Sequence, residues 1–236
     1  KYVTVIQSNT DGIMLDLFDW NDKAKVIEIV EEWERRTGFV IKKEEMTNIT
    51  QRDVNNYCAL HNGKAIVRGE AMNAFNLMHN PIHCQTWNLK EPPIIGCGIA
   101  EYLLYNKLPE ETILKYIDDM KYFQFSCKKL SFDYLTEDTE NINTGEVTSR
   151  RLQNVNRAFA AKIDTCRTTI RKHKDVEGKH QTSKIACLPE NVFVYNSNIY
   201  DGHDEIVSKL DIDYYISRIY TRIQEFIPID KIKDII

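Results

Sequence analysis

The residues that could do chemistry begin almost at the start of the chain. Asn9-Thr10-Asp11-Gly12 lies between two apolar, β-branched runs, residues 2–7 and 13–17. Polar and small residues between such runs predict a β-hairpin with this tetrapeptide at or near its tip. A hairpin can hold one carboxylate, Asp11, rigidly at the end of a buried sheet. The plain alternative is a turn, since Asp-Gly is favoured there for backbone reasons alone. His79, His83 and Cys84 cluster around Pro81. Zinc is conceivable there, but no fourth ligand accompanies them, and a polar loop is the simpler reading. None of the six cysteines has Cys-x-x-Cys spacing, and we expect reduced thiols.

The elements that must position these residues follow from pattern. The 236 residues are 42% hydrophobic and 28% charged, a globular composition with ample core material. No apolar run approaches the ~20 residues of a membrane span. No signal peptide opens the chain, and we expect a cytoplasmic protein without membrane contact. No initiator Met precedes the first strand, so we expect a piece of a longer polypeptide. After the hairpin, residues 19–38 read as an amphipathic helix, with Val26, Ile29, Val30 and Trp33 at helical spacing. This helix is expected to cover a sheet, with Trp33 buried. Strands are expected at 39–44, 56–60 and 65–68, the last two joined by a turn at Asn62-Gly63. Residues 70–90 read as irregular. Glu91-Pro92-Pro93 marks a boundary between domains 1–91 and 92–236.

Beyond it a helical hairpin is expected at 94–106 and 109–120. Residues 123–132 are ambiguous, 138–145 read as a polar loop and 149–156 as a short helix. Strands are expected at 157–163, 168–173, 183–187 and 192–195, and a closing helix at 213–226. Net charge is −4, but its distribution is one-sided. Residues 109–146 hold nine acidic and four basic residues, whereas 147–184 hold ten basic and three acidic. The second block, with Arg171, Lys172 and Lys174 at its centre, reads either as a polyanion footprint or as solvated surface.

The order of these features resembles the C-terminal part of a family B (polymerase-alpha-like) DNA polymerase of a divergent bacteriophage type. The family's last palm motif is a hairpin reading Asp-Thr-Asp-Ser, matched here by Asn9, Thr10, Asp11 and Gly12. Asn9 and Gly12 depart from it, while Asp11 stands at the metal-binding position. The next motif, basic-basic-aromatic-Tyr followed by Lys-Gly, is matched by Asn55-Asn56-Tyr57 and by Arg68-Gly69, without the basic pair. Lys64 lies between its two halves. The closing Asp211-Ile212-Asp213-Tyr214-Tyr215-Ile216 resembles the end of the family's thumb.

The resemblance implies an α+β fold: the distal palm, an antiparallel sheet with a covering helix, then a mixed, largely helical thumb. It implies two-metal nucleotidyl transfer to a primer 3′-hydroxyl, with Asp11 as catalytic metal ligand for Mg²⁺. The site would be completed by residues outside this chain, which alone would be inactive. Partners would be primer–template DNA, a deoxynucleoside triphosphate and the upstream part of the same polymerase, in the host cytoplasm if phage-encoded. Tyr57, Lys64, Arg68, Gly69, Arg171, Lys172 and Lys174 would contact DNA. Cross-strand packing for Tyr57 and a solvated strand end for Arg68 stand beside that reading. The alternatives are a non-catalytic nucleic-acid-binding or protein-interaction domain on a degenerate palm, and an unrelated reverse-transcriptase-like palm. The second would want adjacent acidic residues, which Thr10-Asp11 does not supply.

Overall fold

The computed structural model describes residues 2–8, 12–69, 72–79 and 89–226. The chain begins with an antiparallel ribbon, β1 (Val3–Ser8) and β2 (Ile13–Leu17), then helix α1 (Lys23–Thr37). Asp19 caps the short turn before α1, accepting from Asn21 N–H at 2.8 Å, and Gly38 ends the helix in the left-handed region at φ 76°. Next come β3 (Thr47–Asp53), β4 (Asn56–His61) and β5 (Lys64–Arg68), an antiparallel three-stranded sheet in that order. Asn62 and Gly63, both at positive φ, make the β4–β5 turn that Asn-Gly predicts. A short helix α2 (Asn73–Met78) lies inside the stretch read as irregular.

The centre of the molecule is α3 (Pro93–Tyr105), of which Pro93 to Leu104 are all buried. A helix apolar all round belongs in a core. α4 (Pro109–Tyr116) folds back against it. Seven strands follow: β6 (Phe125–Lys128), β7 (Tyr134–Asn141), β8 (Val147–Arg151), β9 (Val155–Ala160), β10 (Cys166–Val176), β11 (Lys179–Lys184) and β12 (Val192–Val194). They form two antiparallel sheets, ordered β11-β10-β7-β8 and β12-β9-β6. Helices α5 (His203–Lys209) and α6 (Ile212–Ile223) close the described chain. The buried face of α6 is Tyr215, Ile219 and Ile223. It packs on α3 so closely that a Cβ at Gly98 would meet Ile219 Cδ1 at 2.6 Å.

The fold is thus α+β with several antiparallel sheets, and five expectations need correction. The β1–β2 ribbon is a sheet of its own, not the edge of a larger buried one. α1 has no buried residue; Ile29 and Trp33 are exposed, and Trp33 stacks on Phe39 instead of entering a core. The sheet β3–β5 is covered by α2 and α3, whose apolar surfaces take Cys58 and Val67. Residues 92–226 are built of strand as much as helix, because segments read as loop and helix, 138–145 and 149–156, contribute to β7 and β8. Residues 39–44 form no regular element, and the strand there begins at Thr47.

One buried cluster joins side chains from both sides of residue 91, from Cys58 to Phe226. Its one acid is Glu101, 2% exposed on α3. α4 supplies what that charge needs: Lys115 Nζ at 2.5 Å, Tyr116 O–H at 2.9 Å and Thr112 Oγ1 at 3.3 Å, with Lys107 Nζ at 3.5 Å. Burial pushes the Glu101 carboxyl up. Hydrogen bonds from Lys115 and Tyr116 and the nearby ammonium charges outweigh it, so the group titrates below its ordinary range. A buried charge survives only when paired in this way.

Candidate functional site

β1 and β2 pair from Val3 opposite Leu17 to Ser8 opposite Ile13, with a bulge between Val5 and Gln7. Phe18 N–H closes the base of the ribbon on Tyr2 C=O at 3.1 Å. The tip residues Asn9, Thr10 and Asp11 lie outside the described residues, whereas Gly12 is described and exposed. Among the described residues no group of three or more His, Cys, Asp or Glu could hold a metal ion. Asp19 is engaged as a cap. His83 and Cys84 also lie outside the described residues.

The ribbon touches the second hairpin. Gln7 Nε2 donates to Val54 C=O at 3.4 Å, in the β3–β4 turn. That turn is closed by Asp53, whose carboxylate accepts from Asn55 N–H (2.9 Å), from the Asn56 amide (2.8 and 2.9 Å) and from Arg52 Nε (2.9 Å). Hydrogen bonds from Asn56, Arg52 and Asn55 lower the Asp53 carboxyl from 3.8 to about 2. A carboxyl lowered on folding stabilises the fold above its unfolded value and loses that contribution as pH falls through the folded one. The turn is expected to hold at pH 3.8 and loosen as the pH falls through about 2. An NMR titration should find Asp53 ionising near 2, with Asn55 amide protection falling in the same window; ionisation near 3.8 would remove the cap from this account.

Across β4 and β5, Tyr57 sits directly opposite Arg68. The fold therefore brings together two residues eleven positions apart in sequence. Arg68 is exposed and Tyr57 half-buried. Lys64 stands at the far end of the same hairpin, opposite His61. Gly69 has φ +114°, and a Cβ there would lie 2.2 Å from Asn56 Oδ1. Its identity is explained by the approach of Asn56, without a ligand.

The basic block takes a different form from its sequence. The acidic strand β7 lies between the basic strands β8 and β10. Glu137 faces Arg150 and Glu140 faces Arg167 in register, and Arg171 Nε reaches Asp138 at 3.1 Å. Arg150 donates to Glu137 through Nε at 2.8 Å. Three of the charges segregated along the chain, Arg150, Arg167 and Arg171, are thus set against acids across the sheet. Arg171, Lys172 and Lys174 do not form one patch, since alternation sends Arg171 to one face and the two lysines to the other. Lys172 Nζ lies 4.6 Å from the Phe132 ring centroid.

One cluster escapes sequence reading. Arg52, Glu225, Arg222, Glu91 and Arg218 alternate in sign through one chain of contacts. Arg52 Nη1 meets Glu225 at 2.5 Å, Glu225 meets Arg222, and Arg218 Nε donates to Glu91 at 2.6 Å. The visible signal is Arg218 and Arg222 one helical turn apart on α6. Glu91 comes from more than a hundred positions upstream and cannot be paired with them by eye. Comparisons with protein-family models, with curated proteins and with solved structures find no match. Among the described residues no helix is long and apolar enough to cross a membrane.

Proposed function

We propose that this chain is the distal palm (1–91) and thumb (92–236) of a family B DNA polymerase, of bacteriophage type and acting in the host cytoplasm. The observation that carries the reading is the contact between the two hairpins that bear the motif residues, Gln7 to Val54. It puts the strands flanking Asn9-Thr10-Asp11-Gly12 beside the sheet on which Tyr57 and Arg68 face one another. In this reading Asp11 supplies one carboxylate to Mg²⁺, and the second comes from outside the chain. When bound, Mg²⁺ held by these carboxylates would supply the positive charge that favours ionisation of the primer 3′-hydroxyl and offsets the charge on the departing pyrophosphate. Tyr57 and Arg68 would bear on the primer–template duplex, Arg68 through phosphate.

The first 54 residues also support a larger assembly. Ile13, Phe18, Trp20, Ile29, Phe39 and Val40 are all exposed large hydrophobics. Apolar surface concentrated in this way marks an interaction face, and the upstream part of the same polymerase is the partner proposed for it. The test is primer extension by the complete polypeptide carrying Asp11→Asn: loss supports the reading, and retained extension overturns it.

The thumb assignment has its own test. Lys172 and Lys174 share a face, while Arg171 is engaged by Asp138. Lys172→Glu with Lys174→Glu is expected to lower duplex affinity and to reduce the salt slope by about 2. Arg171→Glu alone should change duplex affinity far less. Fluorescence anisotropy across a salt series reads both, and an unchanged slope in the double variant would assign these lysines to plain surface.

A further inference from the structure

The sheet β11-β10-β7-β8 carries two imidazoles side by side, His173 on β10 and His180 on β11. In register, His180 faces Asp175, and His173 faces Thr182 on one side and Tyr134 on the other, so all five share one face. His173 Nδ1 lies 3.1 Å from His180 Nε2. The outer nitrogens are held as well. His180 Nδ1 lies 2.8 Å from Asp175 Oδ1, and His173 Nε2 lies 2.7 Å from Thr136 Oγ1. Stacking fixes the rings: Tyr134 lies 4.5 Å from His173 and within 5° of parallel, and the Arg151 guanidinium covers Tyr134 at 4.7 Å. Arg171, on this face, is engaged by Asp138 at 3.1 Å.

Where the protons sit follows from these partners. A carboxylate only accepts, so His180 carries its proton on Nδ1 and turns a bare Nε2 toward His173. Neutral His173 can meet it with Nδ1–H, while Thr136 O–H donates to Nε2. It can equally carry its proton on Nε2 and donate to Thr136. Two bare nitrogens then face one another across 3.1 Å, and a cation between them removes the repulsion. Metal–imidazole bonds of about 2.0–2.1 Å at a tetrahedral angle set two ligand nitrogens about 3.3 Å apart. The two states differ by one proton crossing the His173 ring and one turn of the Thr136 hydroxyl, and no proton is lost. A carboxylate on one outer nitrogen and a hydroxyl on the other are the partners that orient metal-bound imidazoles.

We propose that His173 Nδ1 and His180 Nε2 bind one divalent transition-metal ion of the Zn²⁺ class, with Asp175 and Thr136 as positioning residues. Imidazole nitrogen suits Zn²⁺, Cu²⁺ or Ni²⁺, whereas Mg²⁺ takes oxygen. Among the described residues no third His, Cys, Asp or Glu joins the pair. His180 is half-exposed, so water reaches the remaining positions and the site is open, not a closed protein cage. The ion clips β11, an edge strand with every residue exposed, to β10. The site is separate from the Asp11 hairpin and does not rest on the polymerase reading.

Zn²⁺ titration of the full chain, followed in ¹H–¹⁵N imidazole spectra, tests this. The signals of His173 Nδ1 and His180 Nε2 are expected to shift together and saturate, with His173 passing to its Nε2–H form. Asp175→Ala removes only a positioning residue and should weaken binding by about tenfold. His180→Gln removes a ligand and should weaken it further, read at His173. Both changes lie at exposed positions of one hairpin, and amide spectra check that the fold is intact. Imidazole signals that stay in place as Zn²⁺ is added would leave a plain N–H···N bond here and overturn the site. A His180→Gln midpoint equal to wild type would overturn it too. Mg²⁺ at the same concentrations should move neither signal; an equal shift with Mg²⁺ would defeat the nitrogen-ligand assignment.

Discussion

Tyr215→Phe is expected to destabilise the fold by roughly 2–4 kcal/mol. Tyr215 is fully buried on α6, and its hydroxyl makes two bonds at once. It accepts from Ala160 N–H at 3.0 Å on β9 and donates to Phe123 C=O at 2.7 Å, just before β6. The ring also packs edge-on against Phe123, with centroids 5.3 Å apart. Phenylalanine keeps the ring and its volume, so no cavity term enters. What is lost is the partner of two buried backbone groups, each of which costs about 1–3 kcal/mol when left unsatisfied. Burial has also pushed the phenol well above its ordinary range, so the hydroxyl stays neutral and able to donate at any working pH. Urea unfolding should show a lower midpoint at unchanged slope. A Tyr215→Phe midpoint equal to wild type would show that water replaces the hydroxyl and that α6 is held by Ile219 and Ile223 alone.

That residue shows how the sequence is legible in part. The period of Ile212, Tyr215, Ile216, Ile219 and Ile223 announces α6 and its buried face, and Asn62-Gly63 announces the β4–β5 turn. Both are local rules that the chain obeys locally. That Tyr215 ties α6 to strands at 123 and 160 is not local, and no spacing expresses it. The strands β7 and β8 fail for a related reason. Beyond Tyr134, Leu135 and Val147 their residues are Thr, Ser, Asn and charges, so neither alternation nor an apolar run marks them. Part of what holds them is the meeting of Glu137 with Arg150 and of Asp138 with Arg171 on neighbouring strands, and that pairing exists only after folding.

The same fact reverses the reading of the charge blocks. An acidic segment followed by a basic one looks like a footprint for a polyanion. Folded antiparallel, it sets Glu137, Asp138 and Glu140 against Arg150, Arg171 and Arg167 within one sheet, so part of the basic block is neutralised from inside the chain. Helix α1 misleads in the opposite direction. Its apolar stripe is real, yet the stripe is exposed. Periodicity says that a face is apolar, not which surface covers it. Glu101 escapes the sequence reading, although its signal is there: a single acid in the apolar run 93–104. Its partners on α4 follow from the helical hairpin that the sequence does predict.

Asp11→Asn, introduced into the complete polypeptide, is expected to lower the rate of primer extension by about a thousandfold or more, while duplex affinity stays within about twofold. Asn is nearly isosteric with Asp and is equally at home in a turn, so the pairing of β1 with β2 should survive. What changes is one negative charge at a site where carboxylates must hold two divalent cations close together. Losing about 4 kcal/mol of transition-state stabilisation is a thousandfold loss in rate. In the proposed reading duplex affinity would rest on other groups, Tyr57 and Arg68 on the neighbouring sheet and the lysines of β10, and would have no reason to follow. Single-turnover nucleotide incorporation, measured across a Mg²⁺ series, separates the two quantities. A wild-type rate with wild-type Mg²⁺ dependence would make Asp11 a plain turn residue, and the chain would then be a binding module built on a palm without a metal ligand at this position.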